Sequence, residues 1–129
     1  MVFRREGDRV VADFTPEERH QGFPGVLHGG VIATLLDETM GRTGALRQEW
    51  LMTGKLDIRY RKPAPIDRTL RVWGEIVRER AGAVDAVGAV ELVDGTVVAD
   101  ARGMFLRLPE PLLAETVAQY PEFINYWQR

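Results

Sequence analysis

The 129-residue sequence contains no cysteine and no serine. Their absence excludes the two commonest covalent nucleophiles, and with them disulfides, thiolate metal sites and thiol redox chemistry. Histidine is scarce: His20 and His28 are too few for a three-histidine zinc centre, and without serine no Ser-His-Asp hydrolase can be assembled. Charge of either sign is not in excess. The 17 basic and 19 acidic residues leave a net charge of −2, so no global field draws the chain to nucleic acid or to an anionic membrane, and an anionic ligand needs a local basic patch. No stretch approaches 18 apolar residues, and the start MVFRREGDRV lacks the apolar run of a signal peptide; the expectation is a soluble, cytoplasmic chain. What remains for chemistry is carboxylates, Thr and Tyr hydroxyls, two imidazoles and oriented backbone groups.

At 14.6 kDa the chain suits one domain over residues 1–129, and area scaling buries about two-thirds of the unfolded surface, enough for a core. Residues 1–14 alternate weakly and predict one short strand. The segment TPEERHQGFPGVLH holds two Pro and two Gly without periodicity and reads as an ordered loop or a turn of helix. From Gly29 to about Arg47 the pattern predicts a helix of about five turns. After residue 52 the period becomes two: Leu56, Ile58 and Tyr60 alternate with Lys55, Asp57, Arg59 and Arg61, and Pro63 and Pro65 end that strand. Three more strands are expected over 68–80, 83–93 and 96–107, separated by Ala81-Gly82 and Asp94-Gly95, the latter a two-residue hairpin turn with positive φ at both central positions. The stretch LLAETVAQY reads as a short helix, and the tail PEFINYWQR as a segment docked on a surface. The sum is an α+β chain: one long helix inserted before an antiparallel meander of four or five strands that wraps it.

At 100° per residue, Val31, Ile32, Leu35, Leu36, Met40 and Leu46 fall on one apolar arc facing a core. The opposite arc holds Gly30, Ala33, Thr34, Asp37, Gly41 and Gly44, where a solvated helix would carry Lys and Glu. Interior glycines cost about 1 kcal/mol each relative to alanine, so their presence points to close approach by a backbone or a ligand, with Asp37 central to the covered face. Glu38, about 100° away, is read as structural or as an ion-pair partner. A wrapped helix with a small-residue face and a sheet with open edges both call for a second copy of the chain.

His28-Gly29-Gly30 opens the helix, where unpaired backbone N–H groups carry partial positive charge and glycine admits a ligand oxygen. The plainer reading is a tight turn into the helix. Asp37 lies at nearly the azimuth of Gly30, but roughly 10 Å of rise separates them, so the two serve one reacting atom only across a dimer interface. Arg59, Arg61 and Lys62 form a basic strand end that suits phosphates or merely a solvated face. Trp50, Met52 and Phe23 suit pocket walls or plain packing equally.

The string HGGVIATLLDETMG, preceded by GFPGV and followed by LMTGKLDIRYRKPAP, resembles the hotdog-fold acyl-CoA thioesterases, in the branch related to phenylacetyl-CoA thioesterase. The resemblance covers residues 20–65. It implies an antiparallel sheet wrapped around one long central helix and hydrolysis of an acyl-CoA. The backbone N–H groups of Gly29 and Gly30, beside His28, would polarise the thioester carbonyl. Asp37 of the neighbouring subunit would activate water or attack the carbonyl, and Thr53 would hold the water or the carboxylate. Some relatives carry Asn six residues before the His; here that position is Gly22, and Gln21 is the substitute at hand. Arg59, Arg61 and Lys62 become candidates for the CoA phosphates. The resemblance implies no metal and no cofactor beyond CoA as part of the substrate, a homodimer that could pair into a tetramer, and no nucleic-acid or membrane partner. Two other readings stand beside it. One is a hotdog enoyl-CoA hydratase or dehydratase, whose Asp-x-x-x-x-His signature is missing; the other is a non-catalytic acyl-CoA binding domain, which has no reason to keep Asp37 among small residues.

Overall fold

Among the described residues the chain forms six strands and two α-helices: β1 (Phe3–Glu6), β2 (Arg9–Phe14), α1 (Gly29–Gly41), β3 (Leu51–Tyr60), β4 (Leu70–Arg80), β5 (Ala83–Leu92), β6 (Val97–Arg107) and α2 (Glu110–Gln119). The computed structural model describes residues 1–123. All six strands join one antiparallel sheet in the order β1-β2-β4-β5-β6-β3. The expected meander is β4-β5-β6, while β3 closes beside β6, the strand farthest from it in the run that follows. The first fourteen residues form a hairpin rather than one strand, because Gly7 takes a positive φ of 62° and turns the chain back on itself.

The apolar arc of α1 lies on the concave face of the sheet, with Ile32, Leu35, Leu36 and Met40 buried against Val72, Val84, Val90, Ala101 and Phe105. What sets the depth of that contact is a pair of glycines. Gly74 of β4 and Gly88 of β5 face each other across the ladder, and a Cβ at either would stand 2.9 Å from the Met40 Cα or 2.8 Å from its Cγ. The sheet thus presents a bare saddle on which the last turn of α1 rests.

The α-helix is shorter than the periodicity predicts. It ends at Gly41, and residues Arg42–Arg47 tighten into a 3-10 turn. The Thr43 hydroxyl donates to the Met40 carbonyl at 2.6 Å, offering that group a local partner in place of the α-helical ladder. Gly44 is buried where a Cβ would lie 2.5 Å from the Glu49 carbonyl oxygen, and Gln48 in the left-handed region ends the segment. Leu46 therefore leaves the arc of α1. Arg42, 8% exposed, pairs with Glu38 at 2.8 Å and stacks over Phe3, so Glu38 takes the ion-pair role expected of it.

The turn between β5 and β6 also departs from expectation. Of Asp94-Gly95 only the glycine has positive φ, at 91°. Gly95 N–H donates to the Leu92 carbonyl and Leu92 N–H to the Thr96 carbonyl, the pattern of a turn followed by a left-handed glycine. Asp94 is used differently: its carboxylate accepts the Thr96 N–H at 2.9 Å. The short helix near the C-terminus is present as α2, and Phe123 beyond it stacks on Trp50 with ring centroids 4.2 Å apart. The rest of the tail expected to dock, from residue 124, lies outside the described residues.

Candidate active site

Asp37 sits at the middle of α1 on the small-residue flank, half-buried, and its Oδ1 accepts a hydrogen bond from the Thr53 hydroxyl at 2.5 Å. That contact depends on a strand irregularity. Leu56, Ile58 and Tyr60 alternate on the helix side of β3, opposite Gly103, Ala101 and Ala99 of β6, and strict alternation would turn Thr53 to the outer face. Between Thr53 and Lys55 the register slips, with Gly54 as the extra residue, so Thr53 pairs with the buried Phe105 and faces the helix. A Cβ at Gly54 would lie 3.2 Å from the Met104 carbonyl oxygen and the Leu106 side chain, which explains the glycine. Beside the Asp37–Thr53 pair opens a cavity of about 340 Å³, lined by Glu38, Gly41, Arg42, Trp50, Leu51, Met52 and Phe123. Trp50 and Met52 line this cavity; Phe23, 81% exposed, does not.

The start of α1 forms a second, separate site. His28 is the N-cap, and its Nδ1 accepts the Gly30 N–H at 2.8 Å, which requires that nitrogen to be unprotonated. The Gly30 donor is therefore already engaged, whereas among the described residues no acceptor meets the Gly29 N–H. A cleft of about 290 Å³ runs alongside, lined by Gly29, Ile32, Tyr60, Arg61, Lys62 and Ala64. Tyr60 donates its hydroxyl to the Gly29 carbonyl at 2.8 Å and so ties β3 to the helix start.

Of the basic trio, Arg61 and Lys62 border this cleft, and Arg61 also pairs with Asp100 at 2.7 Å, a contact that raises its already high pKa. Arg59, opposite Asp100 on the outer face of the sheet, lies away from the cleft lining. Gln21 does not point to the helix start. Its side-chain oxygen accepts the Gly25 N–H at 2.9 Å and closes the 21–27 loop. Gly22 lies so close to His28 that a Cβ there would be 3.3 Å from the His28 Cα and ring, so a larger residue needs the imidazole to move. Tyr60 and the Gly54 bulge are the site features that alternation alone misses; the Thr-Gly pair at 53–54 is the one local signal for the latter. Among the described residues, no cluster of three or more His, Asp or Glu is placed to hold a metal ion.

Within one chain the Asp37 cavity and the helix-start cleft are separate. Both border the flank of α1 beside β3, whose ten residues form an uncovered sheet edge, mostly exposed.

Comparison with known proteins agrees with this architecture. Residues 24–99 match the family model described as Thioesterase superfamily. The chain is 30% identical over 109 residues to mouse acyl-coenzyme A thioesterase THEM4, a match covering 84% of this chain and 47% of that protein, so the chain spans about half the length of the curated relatives it matches. Among solved structures it is similar to a hypothetical thioesterase from Streptococcus pneumoniae crystallised with coenzyme A, with a TM-score of 0.77, 21% identity and 83% and 84% of the two chains covered. It is likewise similar to the E. coli PaaI protein from the phenylacetic acid degradation operon, with a TM-score of 0.74, 16% identity and coverage of 79% and 74%. These two likenesses show the hotdog fold.

Proposed function

The chain belongs to the thioesterase superfamily, and on that premise we propose that it hydrolyses an acyl-CoA thioester at a site shared between two copies of itself. The observation that carries the reading is the Thr53 hydroxyl donating to Asp37 at 2.5 Å beside an open cavity. A carboxylate on a small-residue helix face, oriented by a hydroxyl from the next strand, is built as a base rather than as a solvated charge. Names of relatives that act on or bind coenzyme A derivatives support the substrate class.

In this mechanism the thioester carbonyl oxygen takes the Gly29 N–H at the electropositive start of one α1, and Asp37 comes from the partner copy. Thr53 occupies Oδ1 of Asp37, so the carboxylate keeps acceptor capacity for a water molecule. Asp37 withdraws a proton from that water, the hydroxyl adds to the carbonyl carbon, and the oxyanion is held by Gly29. Collapse then breaks the carbon–sulfur bond, releasing the acid and CoA, whose thiolate takes up the proton held by Asp37 and so restores the carboxylate. His28 holds Gly30 and thereby the geometry of the helix start. Lys62 and Arg61, which border the helix-start cleft, take the CoA phosphates in this reading, and Arg59 lies outside that lining. The open β3 edge and the exposed flank of α1 are the surfaces that a second copy would cover.

The test is thiol release from a panel of acyl-CoAs, run beside equilibrium CoA binding. The wild type should release CoA, and Asp37→Asn should lower kcat about 10²- to 10⁴-fold while CoA binding and the dimer persist. CoA binding without turnover by the wild type would contradict the reading and favour a binding domain.

A further inference from the structure

The cavity beside Asp37 contains a glycine that its own chain does not require. A Cβ at Gly41 would meet only the Phe105 ring, at 3.7 Å, an ordinary contact. Gly44, Gly74 and Gly88 contrast with it, since a Cβ there would lie under 3.0 Å from neighbouring atoms. Alanine at 41 would therefore fit. What the missing side chain leaves is empty space opening onto Asp37 and Thr53. The opposite wall is aromatic: Trp50, just before β3, with Phe123 from beyond α2 stacked on it at 4.2 Å and 25°. The walls are apolar on that side, with Leu51 and Met52 completing them.

Resting on the thioesterase reading, we propose that this cavity receives the acyl group, that Gly41 keeps its floor open, and that the Trp50–Phe123 stack limits how long the acyl group can be. The lining sets the substrate class: an apolar wall that ends in the Trp50–Phe123 stack suits an apolar acyl group of medium length or a single aromatic ring on a short linker, and a long-chain fatty acyl group would have to pass that stack. Phe123, which stands apart from the proposed reacting groups, thereby becomes a determinant of substrate length.

Two substitutions act on the cavity in opposite directions. Phe123→Ala removes half of the aromatic wall, and Gly41→Val fills the floor. With straight-chain acyl-CoAs from acetyl to palmitoyl, kcat/KM of the wild type should peak at medium length. Phe123→Ala should move the peak toward longer chains, raising the long-to-medium ratio about tenfold or more, as pocket discrimination per methylene allows. Gly41→Val should move it toward acetyl-CoA by a similar factor, with the sedimentation coefficient unchanged. A chain-length profile unmoved in both variants, in an active wild type, overturns the inference and leaves the thioesterase reading standing. A Gly41→Val protein that dissociates also overturns it, assigning the empty space to the partner copy. A wild type that releases no thiol from any acyl-CoA fails the underlying reading instead.

Discussion

In the proposed mechanism Thr53 orients the Asp37 carboxylate through a single hydroxyl. Its hydroxyl is the one group from β3 that grips Asp37, and a charge-assisted hydrogen bond of this kind contributes about 1.5–3 kcal/mol. Thr53→Ala should lower kcat roughly 10- to 100-fold with KM little changed, and Thr53→Ser should restore most of it, because serine keeps the donor; equal losses in both variants would mean that the methyl, not the hydroxyl, matters. Asp37 is legible from sequence because glycine, alanine and threonine surround it on its helix face, where a solvated carboxylate would have charged neighbours. The side of β3 on which Thr53 lies is not legible by alternation, because the bulge at Gly54 reverses the parity that Leu56, Ile58 and Tyr60 establish. The fate of the two helix-start donors is equally hidden: a His-Gly-Gly string does not reveal that the imidazole turns back to cap Gly30, while no acceptor among the described residues meets the Gly29 N–H.

Among elements, the hairpins and α1 carry different risks. Asp94 at the β5–β6 turn accepts the Thr96 N–H and is held below the usual carboxylate range by that bond, then by the Thr96 hydroxyl and the charges of Arg68 and Lys62. A carboxyl lowered on folding stabilises the fold at neutral pH and loses that contribution as pH falls through its lowered value. The Tm deficit of Asp94→Ala should therefore be present at pH 7 and shrink in acid; a deficit independent of pH would assign the effect to backbone conformation. Against the helix, Gly88→Ala puts a methyl 2.8 Å from the Met40 side chain and 2.7 Å from the Trp73 carbonyl. Overpacking of this kind costs about 1–3 kcal/mol, read as a lower denaturant midpoint at unchanged m-value. The sequence locates β3 to β6 within two residues because period-two alternation and turn glycines are local signals. It does not show that β3 lies beside β6, or that α1 gives way to a 3-10 turn at Arg42, since both follow from contacts between distant segments and from the Thr43 back-bond.

At the scale of the molecule, the fold leaves the proposed chemistry in two parts. The base and its cavity lie midway along α1, the carbonyl-binding donor at its start, and the ten-residue β3 runs between them as a sheet edge. An isologous dimer that covers this edge would juxtapose one copy's helix start with the other's carboxylate twice over. The sequence motivates the proposed partner through roughly 10 Å of helical rise and the small-residue face; the edge proposed for it is visible only once β3 is placed at the end of the sheet.

Mixing two inactive variants tests this most directly. Gly29→Pro removes the N–H at the first helical position, where proline is tolerated and where His28 already has the extended backbone that a following proline requires. Asp37→Asn removes the base. Each homodimer should be inactive, but after unfolding and refolding an equimolar mixture, every mixed dimer holds one site with both lesions and one with neither. Random pairing then returns about a quarter of wild-type turnover if two copies share each site. A refolded mixture of dimers as inactive as its parents would place both groups in one chain and contradict the shared site.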